Sequence, residues 1–177
     1  MRKLKLRPGA LPAGVTLADP AALIATGGGV GLAPFASGTW GSLAALPVGW
    51  LIESSAGIAG LLVAAALASL AGTWAADRLE RAGGVHDAGY VVVDEIAAQW
   101  LALAFAPFTW WGYALAFLAF RAADIFKPFP ADWCDAHVHG GFGTMLDDLV
   151  AGLYAGVAVW AAARFLPIAG TLDALGR

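Results

Sequence analysis

Charge is what this chain has least of. Only 13% of its 177 residues are Asp, Glu, Lys or Arg, while 60% are hydrophobic. A soluble domain carries roughly 25% charged residues, so the chain is about half short of the polar surface that water requires. A single cysteine, Cys134, excludes an intramolecular disulfide and a cysteine-built zinc site. A cysteine phosphatase needs an arginine six residues on, and position 140 is glycine. No apolar core follows the basic residues of the N-terminus, so a secretory leader is not expected there. Internal repeats and low-complexity tracts are also missing.

What is present is unevenly placed. Ten of the thirteen acids fall in two polar stretches. One holds Asp77, Glu80, Asp87, Asp94 and Glu95; the other holds Asp124, Asp132, Asp135, Asp147 and Asp148. Acids this dense repel one another unless they are solvated, protonated or neutralised by a cation. Between them lie apolar blocks at 43–52, 56–76, 96–108, 110–120 and 149–166. The block 56–76 is long enough for a bilayer core of about 30 Å, and the shorter ones are marginal. The polar stretches can share one site only if an even number of crossings separates them, which makes each intervening block a hairpin with far-side turns at 53–55 and 107–109. Together with the basic N-terminal residues 1–42, the polar stretches 77–95 and 121–148 hold eight of the ten Lys and Arg and those turns hold none, so the shared face is expected to be cytoplasmic. The eight tryptophans mostly flank apolar runs, as interface anchors do.

These patterns predict an all-α, compact, membrane-associated helical bundle with apolar hairpins and a C-terminal apolar helix. Residues 1–18 read as a basic arm, 19–168 as a single domain and 169–177 as a tail. Asp19-Pro20 reads as a helix start, and Gly152-x-x-x-Gly156 as a close helix contact. The glycine-rich stretch from His139 through Gly140, Gly141 and Gly143 reads as a loop running into Asp147 and Asp148. Glycines there let a backbone approach a ligand, and a following helix offers N–H groups to an anion. Thr144 and Asp147 resemble a capping box, which leaves Asp148 as the first candidate for chemistry. Oxygen-only donors suit Mg²⁺ better than zinc. Lys127 and Arg121 are placed to neutralise phosphate, and His139 to donate a proton. His86-Asp87 reads as a solvated turn, and His137 carries little weight.

Five ordered blocks resemble the phosphatidylglycerophosphatase A family: Gly31-Leu-Ala-Pro34; Gly38-Thr39-Trp40-Gly41-Ser42; Val93-Asp94-Glu95; Arg121-x-x-Asp124-x-x-Lys127-Pro128-x-Pro130; and His139-Gly-Gly-x-Gly143-x-Met145-x-Asp147-Asp148-x-x-Ala151-Gly152. The resemblance departs at Ser37, where the family commonly has Pro, and at Ala98, where it commonly has Gly. It implies a Mg²⁺-dependent phosphatase of the bacterial inner membrane, its site facing the cytoplasm, that converts phosphatidylglycerophosphate to phosphatidylglycerol. It places the acidic site on Asp94, Glu95, Asp124, Asp147 and Asp148, with Lys127 beside it, and leaves open which acid binds metal and which attacks. The reading of the residues takes all five as metal candidates and Asp148, Asp124, Asp94 and His139 as catalytic candidates. Lys127, Arg121, Gly38, Thr39, Gly41, Gly140, Gly141 and Gly143 would surround the phosphate. The partners implied are an anionic phospholipid and the membrane, without nucleic acid; the oligomeric state is left open. Two other readings of the residues stand beside it: a non-enzymatic ion-binding or transport protein, and a phosphatase for another lipid phosphomonoester. A transport pathway would place acids within the spans, whereas here they gather at helix ends.

Overall fold

A computed structural model describes residues 10–83 and 88–165, the side chain of Asp135 excepted. Residues 1–9 of the basic arm, His86-Asp87, the last residues of the domain (166–168) and the tail 169–177 lie outside the described residues. Six α-helices and one 3₁₀ turn, and no strand, are found among the described residues. They are α1 (Pro20–Ala25), α2 (Ser37–Gly83), α3 (Val93–Leu103), α4 (Trp110–Phe126), α5 (Ala131–His137) and α6 (Gly140–Phe165). The all-helical expectation holds.

Helix α1 starts as the sequence predicts: Asp19 Oδ1 accepts from the Ala21 amide at 2.9 Å, with Pro20 at the first helical position. Helix α2 looks like one element of 47 residues, but Gly57 interrupts it at φ 64° and ψ −166°. That conformation is open essentially to glycine alone. Packing shows what the break does. A Cβ on Gly41 would lie 2.8 Å from Val92 Cβ, and one on Gly72 would lie 2.8 Å from Val93 Cγ1. In a straight helix Gly41 and Gly72 would stand about 46 Å apart. Both touch adjacent residues, so α2 is a hairpin of two antiparallel arms, 37–56 and 58–83. The turn sits at Gly57 rather than at 53–55, which remain helical. Serine and glutamate break apolarity there without breaking the backbone, and only glycine supplies the turn.

Helix α3 is the axle. At 11 residues it is about 16 Å long, too short to cross a bilayer, and Ala97, Ala98, Gln99, Ala102 and Leu103 are all fully buried. The α2 hairpin, α4 and α6 surround it. Small residues permit the closest approach: a Cβ on Gly152 would come within 2.6 Å of the Ala98 carbonyl oxygen, and one on Gly156 within 2.8 Å of the Phe105 ring. This confirms the Gly-x-x-x-Gly contact of the sequence.

The outer helices are packed inside out by the standard of a soluble protein. Helix α6 buries Gly141, Gly152, Ala155 and Gly156 and exposes Leu153, Tyr154, Val157 and Trp160. The α2 hairpin buries Gly41, Ala45, Gly49 and Ala65 and exposes Leu43, Val48, Leu51, Val63, Leu67 and Leu70. Small residues inward and large apolar ones outward is the arrangement of helices whose solvent is lipid. Helices α2 and α6 are long and apolar enough to cross a membrane, and the bundle is membrane-associated.

Candidate active site

The polar stretches meet at one end of the bundle, and the turns lie at the other. At the far end Leu61, Leu103, Ala106 and Tyr113 form one cluster, and the Tyr113 hydroxyl donates to Glu53 at 2.7 Å. At the near end α3 begins with Asp94 and Glu95, where the helix dipole favours acids. Helix α6 passes beside them and contributes Asp148. One carboxylate oxygen from each of Asp94, Glu95 and Asp148 falls within 4.8 Å of the others.

The remaining acids of the expected metal set are engaged with cations. Asp124 Oδ2 pairs with Arg121 Nη1 at 2.8 Å on the last turns of α4. Asp147 Oδ2 pairs with Lys127 Nζ at 2.6 Å. The cluster thus sorts itself: three acids face one another, and two hold the basic residues beside them. Burial pushes the Glu95 carboxyl well above its ordinary value, and the charges of Asp94, Asp148 and Asp124 push it further. Glu95 is partly exposed, yet its Oε2 is buried without a hydrogen-bond partner.

That orphaned oxygen tests whether a cation fits. Three convergent carboxylates with an unsatisfied acceptor are what a hard divalent ion requires. All the donors are oxygen, which favours Mg²⁺ over zinc or copper. The residues present fit such an ion.

The glycines differ from expectation. Gly140, Gly141 and Gly143 are not a loop but the first turn of α6. Gly140 takes φ 77° to start the helix. A Cβ on Gly141 would overlap the Thr73 carbonyl, and one on Gly143 the Val138 carbonyl, so these glycines serve helix packing. The capping box also fails to form. Thr144 Oγ1 turns back to the Gly140 carbonyl at 3.4 Å, and Asp147 lies two turns inside the helix. Asp77 serves the α6 start instead, accepting from the Gly141 amide at 2.6 Å. Sequence reasoning missed it, because a carboxylate sixty-four residues away gives no local signal. His139 is exposed and immediately precedes the start of α6. His137 stacks on Trp133.

Gly38, Thr39 and Gly41 form the first turn of α2. Gly38 is indispensable for proximity: a Cβ there would overlap Glu95 Oε1 and stand 3.3 Å from Arg121 Nη1. The free amides of this helix start therefore open beside the cluster. Ser42, fully buried, accepts from Arg121 Nη1 at 3.3 Å and was not singled out in advance. At the departure position, the Ser37 hydroxyl donates to the Gly89 carbonyl and ties α2 to the segment before α3.

Comparison with known proteins identifies the family. The family model for phosphatidylglycerophosphatase A matches residues 23–163. The phosphatidylglycerophosphatase A of Haemophilus influenzae is 40% identical over 148 residues, covering 83% of this chain and 91% of that protein. The phosphatidylglycerophosphatase A of Escherichia coli is 37% identical over 145 residues, covering 77% and 80%. A Bacteroides thetaiotaomicron protein provisionally named a phosphatidylinositol-3-phosphatase is 37% identical over 151 residues, covering 81% and 93%. No solved structure matches. The matched region spans every acid of the cluster, and the chain belongs to the phosphatidylglycerophosphatase A family.

Proposed function

We propose that this protein is a Mg²⁺-dependent lipid phosphatase that hydrolyses phosphatidylglycerophosphate to phosphatidylglycerol and inorganic phosphate. The observation that carries the reading is the convergence of Asp94, Glu95 and Asp148 within 4.8 Å at one end of an apolar bundle. The names of the relatives from H. influenzae and E. coli supply the substrate. Asp94, Glu95 and Asp148 would hold the ion, which would neutralise phosphate oxygens and stabilise charge developing on them. Arg121 and Lys127 stand at the edge of the cluster, able to swing from Asp124 and Asp147 to the phosphate. The opening amides of Gly38 and Thr39 add donors for its remaining oxygens. Attack on phosphorus is in line, by an Asp148 oxygen or by a water that Asp148 orients. The P–O bond to glycerol breaks, and the glycerol oxygen takes up a proton from solvent. Where Asp148 attacks, the phosphoryl group passes to its carboxylate and a water then hydrolyses that aspartyl phosphate, releasing inorganic phosphate and restoring Asp148.

Among the described residues Arg78, Arg81, Arg121 and Lys127 stand at the acid end and Arg164 at the other, a bias that supports a bacterial inner membrane location with the site on the cytoplasmic face. A second lipid phosphomonoester is favoured by the B. thetaiotaomicron relative, and competing substrates decide between them. The test is phosphate release from phosphatidylglycerophosphate in mixed micelles, with Mg²⁺ or with excess EDTA. Release that requires Mg²⁺ is expected. Release that persists in EDTA overturns the metal role, and no release in Mg²⁺ overturns the activity.

A further inference from the structure

The connector from α4 to α5 carries its charges inward and its aromatics outward. Lys127 reaches in to Asp147. Around it Ile125, Phe126 and Phe129 are 68%, 83% and 74% exposed. Trp133 follows on α5, also exposed. A monomer in water would not leave such a patch uncovered.

Two ties fix where the patch lies. Lys127 binds Asp147 of α6, and the Tyr154 hydroxyl of α6 donates to the Phe129 carbonyl at 2.8 Å. Asp147 and Tyr154 are seven residues apart, so they share one face of α6, two turns from each other. The connector therefore runs along that face, from the level of the acids toward the apolar end. Tyr154 belongs to the exposed belt of Leu153, Val157 and Trp160 on a helix long enough to cross a membrane. The outward phenylalanines continue that belt. Exposed Asp132, on the first turn of α5, marks where the polar side resumes.

We propose that the segment 125–130 is immersed in the bilayer as a lip of the acid cluster, with Phe126 and Phe129 among acyl chains. The occupant of this surface is lipid, because the patch is continuous with the belt of α6 and its one lysine is turned to Asp147. Resting on the lipid-phosphatase reading, the lip also guides the substrate. Acyl chains slide along it while the headgroup reaches the acids, so the lipid need not leave the membrane.

The experiment labels Phe129→Cys with a nitroxide in a Cys134→Ala background and reconstitutes the protein in vesicles of phosphatidylethanolamine and phosphatidylglycerol. If Cys134→Ala fails to fold, the native background serves, since Cys134 is buried. Oxygen should relax the label more than a water-soluble nickel chelate does, with the reverse order for a label at Asp132→Cys. Chelate access at position 129 equal to that at 132 overturns the proposal. So does exclusion of both reagents, with or without the dipolar broadening that a second copy would give. A kinetic arm tests the access role. The Phe126→Ser, Phe129→Ser double variant should lose about tenfold or more in kcat/KM on long-chain lipid in vesicles, and within about twofold on a dissolved short-chain analogue. Equal losses on both overturn the access role. If the unaltered protein hydrolyses neither substrate, the phosphatase reading fails, and the label still decides the membrane contact.

Discussion

Lys127 Nζ lies 2.6 Å from Asp147 Oδ2, joining the end of α4 to α6 two turns after its start. The pair is partly buried, the aspartate more so than the lysine. It makes Asp147 and Asp148 unlike each other although they are neighbours: one charge is spent on a lysine, the other faces two more acids. Asp148→Asn should lower kcat by at least about 10²-fold. Asp147→Asn should cost less, and its effect should be non-additive with Lys127→Ala. Additive losses in that double-mutant cycle would show that the pair does not act as a unit.

Lys127 also occupies left-handed backbone space, at φ 41°, as the residue that ends α4. A non-glycine residue there costs about 1 kcal/mol. Lys127→Gly and Lys127→Ala both lose the ion pair, but only the first relieves the backbone. Thermal unfolding in detergent should rank Lys127→Gly above Lys127→Ala by about 1 kcal/mol. Equal midpoints would refute the backbone account.

Gly38 offers a steric test of the cluster. Gly38→Ala places a methyl group where Glu95 Oε1 now lies, so Glu95 must move and Mg²⁺ affinity should fall about tenfold or more. Gly89 has open space around a built Cβ, and Gly89→Ala should leave both affinity and activity within about twofold. Isothermal titration with Mg²⁺ reads the affinity. An unchanged Gly38→Ala would remove Glu95 from the ion site.

The raised Glu95 carboxyl sets a pH dependence with a definite sign. Its ordinary value is 4.5, and the folded value is higher. Between the two, the folded state binds more protons than the unfolded state, so metal-free stability falls as pH rises through that window. Divalent metal binds the carboxylate form, so Mg²⁺ affinity rises over the same window and binding releases protons. Melting midpoints with and without Mg²⁺ should therefore diverge as pH increases above about 4.5. A gap that narrows with pH would contradict the placement of Glu95 among the ligands.

Gly57 carries the hairpin alone. Gly57→Ala forces a side chain into backbone space reserved for glycine, at a cost of about 1–3 kcal/mol, although a Cβ there would meet nothing within 4 Å. A lowered melting midpoint with an unchanged metal affinity is expected, because the turn lies at the end of the bundle away from the acids. An unchanged midpoint would mean that the arms, not the turn, set the fold.

Much of this molecule is written locally in its sequence. Helix type follows from apolar blocks, the α1 start from Asp19-Pro20, and the pairing of polar stretches from parity and basic residues. The resemblance of five blocks gave the family before any coordinate. Each of these signals is read over a few residues or from a sum over a segment, and needs no knowledge of neighbours in space.

The structure alone decided the rest, because those facts are contacts between distant residues. Spacing assigned the Gly140–Gly143 stretch to a loop, since glycine disfavours helices. Close passage of Thr73, Asp77 and Val138 makes glycine necessary inside the helix instead. The turn of α2 fell on Gly57 and not on the polar triplet beside it, because backbone freedom outweighs polarity at a reversal. Which acids face one another and which hold a lysine or an arginine depended on the register of α3, α4 and α6. That register is set by Gly152 against Ala98 and Gly38 against Glu95; the Gly-x-x-x-Gly spacing marks a close contact at Gly152, but nothing local names the partner of either glycine.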